Sequence, residues 1–381
     1  MKRVLIVCNT LYGGGAEAVL QTVLNNINIK KYDITLYSMN REEIDKKVYK
    51  NDFHYKAVFN HKDGFFSSMY EIHNKIKGII FMKFSSNLFY KLYIRGKFDI
   101  EIAFIEGEST KIVSGSNNKK SKKLAWVHID LEKNPWTSFL YNGIEDETEH
   151  YNCFDKIVCV SNATKEAFCR KYKTENVKII THYNPINVDL IKRRSMEYIN
   201  NSYFSHDNNI EIIAVGGLVK QKGFDRLLEA AKDLSQLGYR FHLHIVGDGK
   251  EKVNLSKYVL NNNMEEYVTL HGYQNNPYKY MSHCDILICS SRAEGYSLVI
   301  AEAMVLGLAI ITTECSGPCE LIDSGKYGIL VENTTKGIFK GLEYLITDKE
   351  KLIMYKKLSR KRSSIFNLKR SISELEKIID E

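Results

Sequence analysis

SSRAEGYSLVIAEAMVLG, Ser290 to Gly307, sets two acids, a glycine turn and an apolar helix in one run. It continues DILICS (Asp285 to Ser290), a short run of β-forming apolar residues, and Arg-Ala-Glu-Gly then breaks both strand and helix periodicity. A strand therefore runs into a loop. Ser297 stands where a helix cap belongs, LVIAEAMVL is apolar on nearly every face, and Gly307 suits the left-handed C-terminal position. Such a helix is buried. Starting at the carboxyl end of a parallel strand, it would turn free N–H groups and a partial positive charge toward a phosphate or diphosphate. Glu294 precedes that start and Glu302 lies just past its first turn.

Around this stretch the chain alternates strand and helix. IEIIAVGGL (Ile210 to Leu218), FHLHIVGDG (Phe241 to Gly249), VTLHGY (Val268 to Tyr273), DILICSS (Asp285 to Ser291), AIITTE (Ala309 to Glu314) and GILVE (Gly328 to Glu332) read as strands with helical stretches between them. The first half opens with RVLIVCN (Arg3 to Asn9), the glycine loop TLYGGGAE (Thr10 to Glu17) and a helix over Ala16 to Ile27. DITLYSM (Asp33 to Met39), DIEIAFI (Asp99 to Ile105), LAWVHID (Leu124 to Asp130) and KIVCVSNATKEAF (Lys156 to Phe168) continue the pattern, the last as strand, cap at Ser161 or Asn162, and helix. His128 and Asp130 fall beyond the apolar part of their strand, where α/β proteins place ligand-contacting groups. Residues 336–380 read as charged helix.

At 381 residues the chain suggests two domains with a cleft between them. The junction is placed near Asn184 to Asp189, giving domains 1–185 and 186–381, with provision for the last helix to pack back on the first. Hydrophobic residues at 44% and charged residues at 26% match globular usage and exclude wholesale disorder or membrane embedding. No window nears the ~18 apolar residues of a membrane span, and the N-terminal apolar run breaks at glycines without a cleavage site, so the expected location is cytoplasmic. Eight scattered cysteines lack CxxC spacing and are read as reduced and structural. Cys315 and Cys319 alone lack the other ligands of a metal site, as do His242 and His244 on one strand face, so no metal is expected.

A net charge of +8 implies an anionic partner, with no nucleic-acid signature to make it DNA or RNA. Gly64 to Lys97 interleaves Phe, Tyr, Ile and Met with Lys and Arg around a single acid, and reads either as an anionic-membrane surface or as a core helix pair with basic outer faces. KKSKK (Lys119 to Lys123) reads as a solvated loop.

Glu294 and Glu302, with seven residues between them inside EGYSLVIAEAM, resemble the E-x7-E signature of retaining GT-B glycosyltransferases, nearest to glycosyltransferase family 4. AVGGLVKQKGFDRLLEA resembles that family's phosphate-binding segment, HIVGDG its next strand and turn, GGGAE its N-terminal glycine loop, and VCVSNATKEAF the segment before its hinge. The resemblance implies two Rossmann-like doubly wound domains facing across a cleft, the first binding the acceptor and the second the nucleotide sugar. It implies a metal-independent, cofactor-free retaining hexosyltransferase that moves a sugar from a nucleotide-diphosphate sugar, UDP-linked by expectation. The acceptor would be a glycan or lipid-linked intermediate of surface polysaccharide such as capsule, with the enzyme cytoplasmic or peripheral at the inner face of the cell membrane. By position, Glu294 would bind donor-sugar hydroxyls, Glu302 the ribose, and Lys222 the diphosphate. Backbone at Gly14, Gly15, Gly295, Tyr296, Ser297 and Leu298 would approach the donor. His128 would lie near the reacting sugar, with Asp130 beside it on the acceptor side. Gly217 stands where the family usually has Arg, with Lys220 or Arg292 as possible substitutes. That departure keeps open a noncatalytic partner subunit, and the fold alone keeps open a nucleotide-sugar epimerase.

Overall fold

A computed structural model describes residues 1–45, 48–59, 67–200, 204 and 209–381, with the side chains of 67–73 set aside. The chain divides into two compact units, Met1–Pro185 with Lys369–Glu381, and Ile186–Leu368.

The first unit is built on β1 (Lys2–Cys8), β2 (Tyr32–Asn40), β3 (His54–Phe59), β4 (Ile100–Ala103), β5 (Lys122–Val127), β6 (Lys156–Cys159) and β7 (Lys178–Thr181). They lie in the order β3-β2-β1-β4-β5-β6-β7, every neighbour parallel. Helices cover both faces, so a central strand must be apolar on both. Val4 to Cys8 are accordingly all buried, with Val4 opposite Ile34 on one side and Ile100 on the other. The edge strands β3 and β7 are half-exposed and carry His54, Lys56 and Lys178, which dilutes the apolar signal that reveals a strand in sequence. Ser161 caps the helix Asn162–Lys171, its hydroxyl accepting from the Thr164 amide. Phe168 on that helix packs edge-on against Tyr151 at 4.8 Å.

The second unit holds β8 (Ile210–Val215), β9 (Phe241–Val246), β10 (Val268–Gly272), β11 (Ile286–Cys289), β12 (Ala309–Thr313) and β13 (Ile329–Val331). Their order is β10-β9-β8-β11-β12-β13, again wholly parallel. These are the six strands read from the alternation. Each unit is thus a doubly wound α/β sheet, as the sequence implies.

The second unit ends at Leu368 and not at residue 381. The helix Leu368–Asp380 buries Ile372, Leu375 and Ile379, one stripe at helical spacing, within the first unit. Its Glu376 accepts from the Asn28 amide at 2.9 Å, Asp380 pairs with Lys2 and Lys31, and Lys122 donates to the Ile378 carbonyl at 2.8 Å.

The basic aromatic stretch forms the helices Ser67–Lys83 and Ser86–Tyr93, while Gly64 to Phe66 lie outside the described residues. Phe81 and Phe89 meet in the core at 5.0 Å, and buried Lys77 donates to the Val58 carbonyl at 2.7 Å. One side of the pair is therefore core. Among the described residues no helix is long and apolar enough to cross a membrane.

Candidate functional site

In each sheet the strand order reverses next to the first strand, between β1 and β4 and between β8 and β11. Open parallel sheets bind ligands at the carboxyl ends of strands at such a reversal. In the second unit the segments leaving β8 and β11 are Gly216 to Lys222 and Ser290 to Ser297, the two stretches that stand out in the sequence. The fold makes them neighbours.

Lys222 Nζ donates to Glu294 Oε1 at 2.5 Å, and Ser291 Oγ donates to the same oxygen at 2.7 Å. The Glu294 side chain is 9% exposed and that of Lys222 28%, so the pair faces solvent mainly through the lysine. Burial works against the Lys222 charge, but Glu294, with smaller help from Cys289 and Cys315, more than offsets it and raises the pKa. Removing either partner leaves an uncompensated charge, a loss on the order of 3 kcal/mol or more.

The loop carrying Glu294 is held through its own backbone. Arg226 donates to the Ser290 carbonyl at 2.8 Å, Gln221 to that of Ala293 at 2.8 Å, and Asn333 to that of Arg292 at 3.1 Å. Thr313 donates to the Ser291 carbonyl, and Ser290 Oγ returns a bond to the Lys222 carbonyl at 2.8 Å. Gly317 approaches so closely that a Cβ there would lie 1.9 Å from the Gly295 carbonyl oxygen. The loop is fixed before any ligand arrives.

The helix Leu298–Leu306 follows, closed by Gly307 at φ 77° with its N–H on the Ala303 carbonyl. Ser297 occupies the cap position but makes no capping bond, contrary to expectation, because its buried hydroxyl faces the Cys289 sulfur at 4.0 Å. Ser297 therefore supplies no side-chain cap to the first turn. Glu302 takes a hydrogen bond from the Tyr278 hydroxyl at 3.0 Å. Burial lifts its pKa to about 7, against the opposing pull of Tyr278 and Arg194.

At Gly217 a Cβ would meet nothing within 4 Å, so the backbone itself does not demand glycine. Of the two substitutes named for the missing cation, Arg292 is already committed, bidentate to Asp225 at 2.8 and 2.7 Å and donating to the Lys220 carbonyl. Lys220 is exposed.

In the first unit the candidate residues also lie at strand ends. The glycine loop follows β1, with Gly13 at φ 104° and Gly14 extended ahead of the helix Gly15–Asn26. It carries carboxylates: Glu17 accepts from Thr10 at 2.7 Å and sits over Gly14, while Glu42 accepts from the Leu11 amide at 3.0 Å. Burial first, opposed by the Leu11 bond and reinforced by Glu17, raises the pKa of Glu42. No cation corresponding to Lys222 is bonded into this loop among the described residues.

His128 follows β5. Its Nε2 is 2.8 Å from the Phe104 carbonyl, which can only accept, so Nε2 carries the proton and Nδ1 is left as an acceptor. Burial holds the ring neutral, with the pKa pushed down to about 4. Its amide donates to Glu106, a buried carboxyl that also takes the Trp136 indole N–H at 3.2 Å. Asp130 is 1% exposed and accepts the amides of Glu132 and Lys133, which makes it an anchor of its own turn.

His242 and His244 share a face, and both nitrogens of His244 are engaged, one by Glu211 at 2.7 Å and one by His271 at 2.9 Å. Among the described residues no such cluster forms a metal-binding group. Sequence reading missed Gln221, Arg226, Asn333, Tyr278 and Glu106. None belongs to a spacing pattern, and only the acid-rich surroundings of Glu106 (GES after IE) offered a signal.

Residues 196–362 match the family model described as Glycosyl transferases group 1. An uncharacterized glycosyltransferase of Haemophilus influenzae is 25% identical over 389 residues, covering 100% of both chains. The N-acetylgalactosamine-N,N'-diacetylbacillosaminyl-diphospho-undecaprenol 4-alpha-N-acetylgalactosaminyltransferase of Campylobacter jejuni is 26% identical over 381 residues, 96% of each chain. Among solved structures, Anabaena HepE in complex with UDP and glucose has the same fold, with a TM-score of 0.78 at 15% identity over 100% of both chains.

Proposed function

We propose that this chain, a glycosyltransferase of the group 1 family through residues 196–362, transfers a sugar with retention from a UDP-sugar to a lipid-linked or glycan acceptor of surface polysaccharide assembly. The observation that carries the reading is the Lys222–Glu294 pair, held on a braced loop at the strand-order reversal beside the start of the helix Leu298–Leu306. On this reading Lys222 and the amides from Gly295 to Leu298 stabilise the departing diphosphate, where a site built in advance needs no reorganisation as charge develops. Glu294 is a hydrogen-bond acceptor for donor-sugar hydroxyls, exchanging part of its bond to Lys222 for them. Glu302 accepts from the ribose, and Gly217 leaves backbone accessible near the phosphates.

The acceptor hydroxyl attacks on the face from which the diphosphate leaves, and a phosphate oxygen takes its proton, so neither a protein nucleophile nor a metal enters the scheme. His128, neutral and with Nδ1 as acceptor, takes a hydroxyl of the reacting sugar. Gly14 and Gly15 give close backbone approach, with Glu17 as a further hydroxyl acceptor, and Asp130 acts by holding its turn. The same reading puts the enzyme on the inner face of the cell membrane.

The test is incubation of the purified protein with a panel of nucleotide-diphosphate sugars. Release of nucleotide diphosphate from one UDP-sugar, with an α-linked product by NMR from an α-linked donor, is the expected result. A second reading rests on Gly217 and the commitment of Arg292: a subunit that binds donor without turning it over. Donor binding by calorimetry with no release for any acceptor would decide for that subunit, and a sugar isomer formed without cleavage would decide for an epimerase.

A further inference from the structure

Beyond the carboxyl end of β5 the chain passes Trp136 and Phe139 on its way to the helix Ile144–Asn152, a stretch outside every motif read from the sequence. Successive three-residue turns shape it: the Ser138 amide donates to the Pro135 carbonyl at 3.1 Å, and the Leu140 amide to that of Thr137 at 3.0 Å. Residues three apart in such turns stand on one side. Thr137 and Leu140 are buried, which leaves Trp136, half-buried, and Phe139, 67% exposed, together on the side toward solvent.

Trp136 is held at two points. Its indole N–H donates to Glu106 Oε1 at 3.2 Å, and its six-membered ring lies over Gly107, where a Cβ would stand 3.0 Å from Cη2. Gly107 has a positive φ of 86°, which favours glycine, and its carbonyl takes the Tyr141 hydroxyl at 3.0 Å. Glu106 is 3% exposed, and its other oxygen accepts the His128 amide at 2.9 Å. A buried carboxyl is costly unless its oxygens are occupied, and both occupants here come from the segment that leaves β5. One group thus sets the main chain of His128 and the plane of Trp136 together. Ser109 extends the frame across the strand-order reversal, donating to Asn9 Oδ1 at 2.8 Å where the glycine loop begins.

We propose that Trp136 is the platform on which the acceptor lies, that the part of the acceptor bound there is a sugar ring, and that Phe139 meets the next ring of the same glycan. Glu106 is the positioning residue that fixes the platform relative to His128. A pyranose has a C–H face, which leaves water for a flat aromatic surface, and a rim of hydroxyls, which needs hydrogen-bond partners beside that surface. Trp136 supplies the first, and neutral His128, with Nδ1 as acceptor, is fixed through the same carboxyl. An acyl chain needs an enclosed apolar channel, whereas two aromatic rings open to solvent on one side of a turn suit the rings of a glycan. Calling that glycan an acceptor rests on the proposed transfer, but its binding at Trp136 does not.

The experiment is titration of the full chain with glucosyl, galactosyl, mannosyl and N-acetylglucosaminyl disaccharides, and with octyl phosphate as a lipid-phosphate probe, followed by tryptophan fluorescence. The other tryptophan, Trp126, is 2% exposed, so a change that Trp136→Phe removes is read from Trp136. A saturable change with at least one disaccharide, and none with octyl phosphate, is expected. By calorimetry Trp136→Ala should weaken that disaccharide about tenfold, Trp136→Phe should restore most of the affinity, and Phe139→Ala should cost about threefold, all with an unchanged circular dichroism spectrum. Glu106→Gln offers one accepting oxygen to two N–H groups, so it should shift the Trp136 emission and weaken the disaccharide about tenfold. Should that buried change prevent folding, the Trp136 and Phe139 variants decide. No saturable change with any disaccharide, or a change with octyl phosphate alone, overturns the proposal. In the transfer assay Trp136→Ala should raise the acceptor KM about tenfold and leave the donor KM unchanged. Disaccharide binding without nucleotide-diphosphate release from any UDP-sugar would keep the platform and sink the transfer, while release with an acceptor KM indifferent to Trp136→Ala would keep the transfer and overturn the platform.

Discussion

Two sets of candidate residues sit at equivalent places in two similar sheets, yet they are built oppositely. In the second unit the charges hold one another: Lys222 stays cationic because Glu294 is beside it, on a loop whose carbonyls are tied down by Gln221, Arg226, Thr313 and Asn333. In the first unit the key group is uncharged. His128 spends its proton on the Phe104 carbonyl, and the nearby glycine loop is met by two carboxylates, Glu17 and Glu42, with no cation bonded into it among the described residues. The same topology therefore provides one site suited to a polyanionic leaving group and one suited to neutral hydroxyls. Under the proposed function, this division would serve a transfer between a charged donor and a sugar acceptor.

The comparison breaks if the charged pair is dispensable. Glu294→Ala or Lys222→Ala should each lower kcat/KM by about a thousandfold, and the double variant should fall little further, because each single change already strands its partner. Steady-state release of nucleotide diphosphate measures this, and losses that multiply would mean the two act independently.

The first unit's neutral histidine can be tested by pH. His128 has a folded pKa of about 4, below its ordinary 6.5, so its contribution to stability is complete above 6.5. It is lost as pH falls toward 4, at most about 3 kcal/mol by linkage. His128→Gln, whose amide nitrogen reaches the place of the imidazole Nε2, keeps a donor for the Phe104 carbonyl and should flatten that part of the calorimetric profile. His271, also held near 4 by burial and its histidine neighbours, should keep the acid sensitivity of the second unit intact.

Gly217→Arg sharpens the comparison from the other side. With no atom within 4 Å of the new Cβ, the side chain can be built, and a second cation should raise kcat by about tenfold or more. An unchanged rate would show that Lys222 alone suffices. A smaller effect belongs to Glu302. As pH rises through about 7 its carboxyl ionises, and the donor KM should fall several-fold. Tyr278→Phe removes a hydrogen bond to the ionised form and should move this transition to higher pH.

The fold was legible where burial leaves no choice. Val4 to Cys8 and Ile286 to Cys289 are apolar throughout because helices cover both faces, and runs of that kind announce a parallel sheet. Strands β3 and β7 lie at an edge, where Lys and His are tolerated, and no comparable run marks them. Lys222, Glu294 and Glu302 could be named in advance because they lie in segments that resemble a family's motifs, and the structure brings Lys222 and Glu294 into one pair. Their supports could not be, since Gln221, Arg226 and Asn333 act on backbone carbonyls remote in sequence, and a carbonyl has no letter. Ser297 shows the reverse limit: the right residue at a cap position turned inward to Cys289. For the last helix the periodicity shows that one face is buried but not against which partner.

That helix has a consequence for how the protein is made. The first unit's sheet is synthesised early, yet Asp380 and Glu376, which bind Lys2, Lys31 and Asn28, are added only after the whole second unit. At ordinary translation speeds the wait is on the order of ten seconds or more. During that interval Tyr32 and Lys122 lack their covering helix. A chain stopped after Asn367 should be cleaved by protease in its first unit while its second remains resistant, and equal resistance of both would show that the early sheet closes unaided. Completion of the amino-terminal half is thus timed by the carboxyl-terminal one, an order of assembly opposite to the order of synthesis.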